Sequence, residues 1–255
     1  MGNLALLSLF ALQAQAPQVA SFTDTKTAAA VENQTRARPE ISAEMRGDIA
    51  MARKEYRQAI DYYKSVEPPT HITLNKIGIA YHQLTDLPTA AKFYQRAIKL
   101  KRDYPEAINN LGAVYYAQKS YRRAVSQYNR ALKLTPDSAS IHSNLGTAWF
   151  ARKDYEKASQ SYQRALEIDP DVFEHRSSNG VLLQERSVAE RAKFHYYLAK
   201  TYARAGVHDR ALQYMRKALE EGFKERKKFV EEPEFAALQQ MPEFQELLAL
   251  NPRVL

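Results

Sequence analysis

Apolar residues recur along the chain at helical spacing, broken at regular intervals by short polar stretches. Between residues 105 and 138, Ile108, Leu111 and Tyr115 stand at i, i+3 and i+7, one stripe of a helix. Gln118, Lys119 and Ser120 interrupt it. A second stripe follows at Tyr121, Ala124, Val125, Tyr128, Ala131 and Leu132. This pattern predicts two helices folded back on each other, and it repeats. Gly78, Gly112 and Gly146 lie 34 residues apart, as do Tyr81, Tyr115 and Trp149. The columns Ala90, Ala124, Ala158; Tyr94, Tyr128, Tyr162; and Ala97, Ala131, Ala165 keep the same register. Pro136 and Pro170 close two of the units, because proline cannot continue a helix.

The column types have a packing logic. Gly112 and Ala124 are small where one helix approaches the other, and Tyr115 and Tyr128 are large where the space between helices needs filling. Asp154 is expected to cap the second helix of its unit, and Asp86 with Pro88 to open another. One helical hairpin cannot bury its apolar face alone, so the expectation is an all-α stack in which neighbours bury it jointly.

Two weaker units flank the three strong ones. Gly47, Tyr56, Ala59 and Tyr63 keep the internal spacing upstream, in a unit shortened near Pro68-Pro69. Leu198, Ala199, Tyr202, Ala211 and Ala218 keep it downstream, with Ala199 in place of glycine and Met215 in place of the aromatic residue. Residues 173–191 break the register as an insertion, read as a connector or as a flap touching a ligand. Ser187 and Glu190 have capping-box spacing, so the next helix is expected near Val188. Phe235, Leu238, Phe244, Leu247 and Leu248, behind two Pro-Glu-Phe starts, are expected to form short helices covering the open end.

The columns resemble the tetratricopeptide repeat family, strongly over 71–104, 105–138 and 139–172. The resemblance implies a right-handed α-solenoid of helix-turn-helix repeats with C-terminal capping helices. Its limits are units at 40–70, 71–104, 105–138, 139–172 and 192–225, with a capping segment at 226–255. It also implies a concave groove lined by the first helices, which holds an extended peptide or a partner helix. The lining positions are Asn75, Ile79 and His82; Asn109, Ala113 and Tyr116; and Ser143, Thr147 and Phe150. Asn110 and Asn144 match sites where family members bond a bound backbone, and an amide both donates and accepts. Lys76 and Tyr197 stand at the matching positions elsewhere. Tyr116 and Phe150 either anchor apolar side chains of a ligand or pack against a neighbouring repeat. The basic clamp that some members use on chaperone tails is incomplete here, with Asn75, Ser140 and Asn144 at its sites, so no chaperone-tail binding is expected.

Composition narrows the function. Cysteine is absent from the 255 residues, which excludes thiolate metal sites and cysteine nucleophiles. The 8 glycines are few for a phosphate-cradling fold. The 6 histidines, at 71, 82, 142, 175, 195 and 208, show no metal-ligand spacing. No enzyme, cofactor or metal is expected. The net charge of +8 is uneven. Residues 107–136 hold no acid but carry Lys119, Arg122, Arg123, Arg130 and Lys133, three of them on the second helix, away from the groove. This leaves open a basic outer face for an anionic surface, nucleic acid or membrane, beside the first expectation of a non-enzymatic scaffold for a protein or peptide, with no nucleic acid bound.

At the start, Leu4 to Leu12 form an apolar run too short to span a bilayer, followed by Ala14-Gln15-Ala16. This predicts a signal peptide over residues 1–20, export to a bacterial periplasm or beyond, and no membrane association after its removal. No Lys or Arg precedes the run and Pro17 follows the A-x-A, so a cytoplasmic location is the alternative. Residues 21–39 read as a disordered linker.

Overall fold

The computed structural model describes residues 41–174 and 187–249. The expected signal peptide, the expected linker and the centre of the insertion lie outside the described residues. The compact unit of helices begins at Ser42.

Five antiparallel helical pairs follow one another: α1 (Ala43–Ala52) with α2 (Tyr56–Lys64), α3 (His71–Gln83) with α4 (Leu87–Leu100), α5 (Pro105–Ala117) with α6 (Tyr121–Leu132), α7 (Ala139–Ala151) with α8 (Tyr155–Ile168), and α9 (Val188–Arg204) with α10 (His208–Glu220). Among the described residues there is no strand. Each second helix also packs on the first helix of the next pair, so the pairs stack into an α-solenoid.

The repeated glycine is required by a ring. A Cβ on Gly78 would stand 2.6 Å from the Tyr94 ring, on Gly112 2.7 Å from Tyr128, and on Gly146 2.5 Å from Tyr162. The glycine lets the tyrosine of the second helix lie against the backbone of the first, and all three rings are fully buried. Gly47 and Tyr63 repeat the arrangement in the first pair. In the fifth, Ala199 and Met215 replace them and both are fully buried. A thioether side chain bends around the extra methyl where a rigid ring cannot.

Local signals set the helix ends. Asp86 caps α4 by accepting from the Thr89 amide at 3.1 Å, with proline in the first turn, and Asp154 caps α8 through Lys157 N at 3.3 Å. Ser187 and Glu190 form the capping box that starts α9 at Val188. Between the two helices of each pair one residue takes a left-handed conformation: Lys54, Thr85, Lys119, Lys153 and Gly206. In the middle unit this closes a turn in which Ser120 N donates to Tyr115 O and Lys119 N to Tyr116 O, both at 2.8 Å.

The start of the insertion is tied down. Phe173 packs edge-on against Tyr162 at 5.4 Å, and Glu174 accepts from Tyr214 Oη at 3.2 Å. At the other end of the stack, α11 (Lys228–Glu231), a 3₁₀ turn (Pro233–Phe235) and α12 (Pro242–Ala249) follow α10. Their Phe229, Phe235, Phe244 and Leu247 are buried in the same cluster as Tyr196, Tyr202 and Met215. Four carboxylate contacts fasten this segment: Glu232 meets Tyr196 and Lys200, and Glu234 meets Lys200 and Arg204.

Candidate functional site

Consecutive first helices touch each other directly, α3 with α5 and α5 with α7, more closely than consecutive second helices do. The first helices therefore form the crowded side of the stack. The side chains expected to read a ligand lie along it, and the structure assigns several of them to the protein itself.

The asparagines are joined in a chain. Asn110 donates from Nδ2 to Asn75 Oδ1 at 3.1 Å, and Asn144 donates to Asn109 Oδ1 at 3.1 Å. Asn109 Nδ2 links the two steps through Asn110 Oδ1 at 3.5 Å. Asn75, Asn109 and Asn144 are buried. The register of these bonds is regular: the residue two before each repeated glycine reaches the residue three before the glycine of the preceding pair. The same rung in the first pair is ionic, with Lys76 Nζ on Glu44 at 2.8 Å and on Asp48 at 2.8 Å. Lysine thus stands at residue 76 because its counterpart is a carboxylate. Buried amides satisfied by each other escape the penalty of an unpaired polar group.

Asn110 and Asn144, which match sites that bond a ligand backbone in the family, each spend an N–H here on the preceding repeat. Asn110 is half-buried and keeps a second N–H and a second lone pair. Thr147 is buried, donates back to Ser143 O at 3.0 Å and accepts from Tyr162 Oη at 3.4 Å. Of the two readings of Phe150, ligand anchor or packing against a neighbouring repeat, the structure shows the packing. This residue is 5% exposed, with Phe194 at 5.5 Å, Tyr155 at 5.2 Å and Tyr197 at 6.0 Å around its ring. It therefore fills the joint between the fourth and fifth pairs rather than standing open as an anchor. Tyr116 is half-buried and tilts against Tyr121 at 5.3 Å.

Ile79, His82, Ala113 and Ser143 are half-buried on the same side. Burial holds the His82 ring below the usual histidine range, so it is neutral near pH 7. Tyr197, whose ring stacks on Tyr155 at 4.9 Å, has its phenol pushed up to about 12, mainly by burial. Among the described residues no group of three or more His, Asp or Glu is placed to hold a metal, and no helix is long and apolar enough to cross a membrane. His195 bonds Glu221 through Nδ1 at 2.7 Å and is accounted for by that partner.

A tetratricopeptide repeat model matches residues 109–172, and a second, described as a TPR repeat, matches 78–119. Residues 78–172 thus match tetratricopeptide repeats. Among solved structures, a crystal structure of MamA is 23% identical, covers 74% of this chain and 93% of its own, and superposes with a TM-score of 0.50, a likeness of fold alone. MamA from Desulfovibrio magneticus is 22% identical over 68% of this chain and 89% of its own, with a TM-score of 0.49. YrrB, described as a TPR protein with an unusual peptide-binding site, is 22% identical over 50% of this chain and 67% of its own, with a TM-score of 0.45. No curated protein matches. In tetratricopeptide terms, the asparagine chain joins the first helices of three successive repeats, and half-buried residues stand beside it.

Sequence reasoning missed the rungs between repeats. The signal was available in the offset of 35 residues between Asn75 and Asn110 and between Asn109 and Asn144, but it acquires meaning only once first helices are known to touch.

Proposed function

We propose that this tetratricopeptide protein is a non-enzymatic scaffold that holds a peptide or helix of a partner protein along its first helices. The observation that carries this reading is the row of half-buried residues Ile79, His82, Ala113, Asn110 and Ser143 on the side where α3, α5 and α7 adjoin. Their mixed character, with apolar surface, one neutral imidazole and amide or hydroxyl donors, suits a polypeptide backbone with small apolar side chains. The asparagine and Lys76 rungs support it by holding the first helices in register, so that a ligand meets a preorganised surface. The scaffold is exported after removal of its first residues, which mass spectrometry of the mature N-terminus checks.

Photo-crosslinking tests the binding face. A benzophenone side chain at residue 79, 113 or 143 of the full chain is expected to trap the same partner polypeptide in the source cell. The same group at exposed Gln95 or Asn129 on the second helices is expected to trap none. Adducts confined to residues 95 and 129, or no adduct at any site, overturn the assignment.

A further inference from the structure

The turn edge of the stack carries a feature the scaffold reading does not use. Lys119, Ser120, Tyr121, Arg122 and Arg123, at the turn between α5 and α6, and Arg152, at the next turn, line one open depression of about 620 Å³. The four cations are exposed. None of them forms an ion pair with a carboxylate among the described residues. The nearby edge carboxylate, Asp154, is engaged by Lys157 at 2.7 Å. Arg123 and Arg152 are held by rings instead: Arg123 lies over Tyr115 at 5.7 Å and Arg152 over Trp149 at 4.6 Å. A guanidinium lying over a ring can still offer its N–H edge to an anion. The left-handed conformation of Lys119 places it at the tip of its turn. Ser120 makes no side-chain cap bond, so the first-turn amides of α6 are further donors beside the same depression.

Asp154 also feels Arg152 and offsets part of this charge; the remaining excess of like charges raises the free energy of the unbound protein, and an anion relieves that cost. Guanidinium groups pair with carboxylates in bidentate geometry. The surroundings select among anions. Asp86 on the turn before and Asp209 near the turn after α9 stand at the corresponding turns of neighbouring pairs. A polyanion running along the edge would meet them, whereas a short acidic stretch would not. A membrane surface would need apolar side chains to insert, and the exposed large ones among the described residues, such as Met45, Leu100 and Leu134, lie off these turns.

We propose that this depression is a second docking point, which takes a short run of Asp and Glu side chains from a protein partner. It goes beyond the binding face on the first helices, and either assignment can fail alone. The carboxylates sit between Arg122 and Arg152, with Lys119 and Arg123 closing the sides.

Fluorescence anisotropy with a labelled oligoglutamate peptide and the full chain tests it. Binding is expected at low salt, weakening as salt screens the exposed charges. Arg122→Glu with Arg152→Glu is expected to weaken binding about tenfold or more, while Arg130→Glu with Lys133→Glu, an equal charge change at the other end of α6, leaves it within about twofold. Circular dichroism shows whether each variant is folded, and Arg122→Gln with Arg152→Gln serves if the reversed charges disturb folding. No binding, equal losses in the two pairs of variants, or tighter binding of oligothymidylate or phosphatidylserine vesicles through Arg122 and Arg152 overturns the proposal. The crosslinks at residues 79, 113 and 143 are unaffected in each of these cases.

Discussion

The three central pairs and the fifth pair solve the same packing problem with different parts. In the centre, a glycine on the first helix faces a tyrosine ring on the second, and the turn between them forces Thr85, Lys119 or Lys153 into a left-handed conformation. In the fifth pair, Ala199 and Met215 stand at these two positions, both buried in one cluster, and Gly206 occupies the turn. The aromatic bulk given up at Met215 reappears at the end of the stack. Tyr196 stacks on Phe223 at 4.4 Å, and Phe229 meets Phe235 at 5.1 Å. The central pairs have a neighbour on each side and need only a uniform joint. The fifth has α8 on one side and only the short C-terminal helices on the other, so its large rings lie where they bind that segment.

The largest expected effect tests whether the C-terminal segment belongs to the core of the fifth pair. Phe235 is fully buried against Tyr196 and Phe229. Phe235→Ala should cost about 4 kcal/mol, the range for a buried aromatic truncated to alanine, read from denaturant unfolding. A cost below about 1 kcal/mol would mean that the segment merely lies against the stack.

A middle-sized effect tests the exchange of parts. Gly112→Ala should cost about 2 kcal/mol, because its methyl meets the Tyr128 ring. Adding Tyr128→Met, which recreates the pairing of the fifth unit, should recover part of that loss. A double-mutant cycle on unfolding free energies then gives a favourable coupling of about 1 kcal/mol. Additive losses would show that Ala199 and Met215 are independent substitutions.

The smallest effect concerns the turns. Thr85 is β-branched and has φ of 61°, where Gly206 in the fifth pair has φ of 74°. Thr85→Gly should raise stability by about 1 kcal/mol, seen as a higher unfolding midpoint, because glycine adopts this conformation without a clash. A lower midpoint would show that the hydroxyl, which donates to Leu84 O at 2.7 Å, outweighs the strain.

Much of this fold was legible along the chain. The 34-residue columns gave the pairs, and the Gly112 and Tyr128 columns gave their joint. The Ser187 and Glu190 spacing gave the start of α9. Each is a local or periodic signal, and a repeat protein states such signals several times. The proposed binding face was legible only as a set of positions. Phe150 occupies the column of Tyr116 and His82, yet it alone is walled in by Phe194 and Tyr197, which come from the fifth pair across the insertion. Along the sequence, the basic run from Lys119 to Lys133 forms one patch. Stacking divides it: Lys119, Arg122 and Arg123 join Arg152, while Arg130 turns to Arg102 O at 2.9 Å.

By itself, then, the chain determined which residues pair within a repeat, since helical spacing and side-chain size are set by neighbours in sequence. Only the tertiary structure decided which side chains of the first helices are spent inside the protein. A contact between residues far apart in sequence, such as Lys76 with Glu44 or Asn144 with Asn109, exists only after hydrophobic burial has brought successive pairs together, and that contact determines whether a polar group is spent inside the protein or left at its surface.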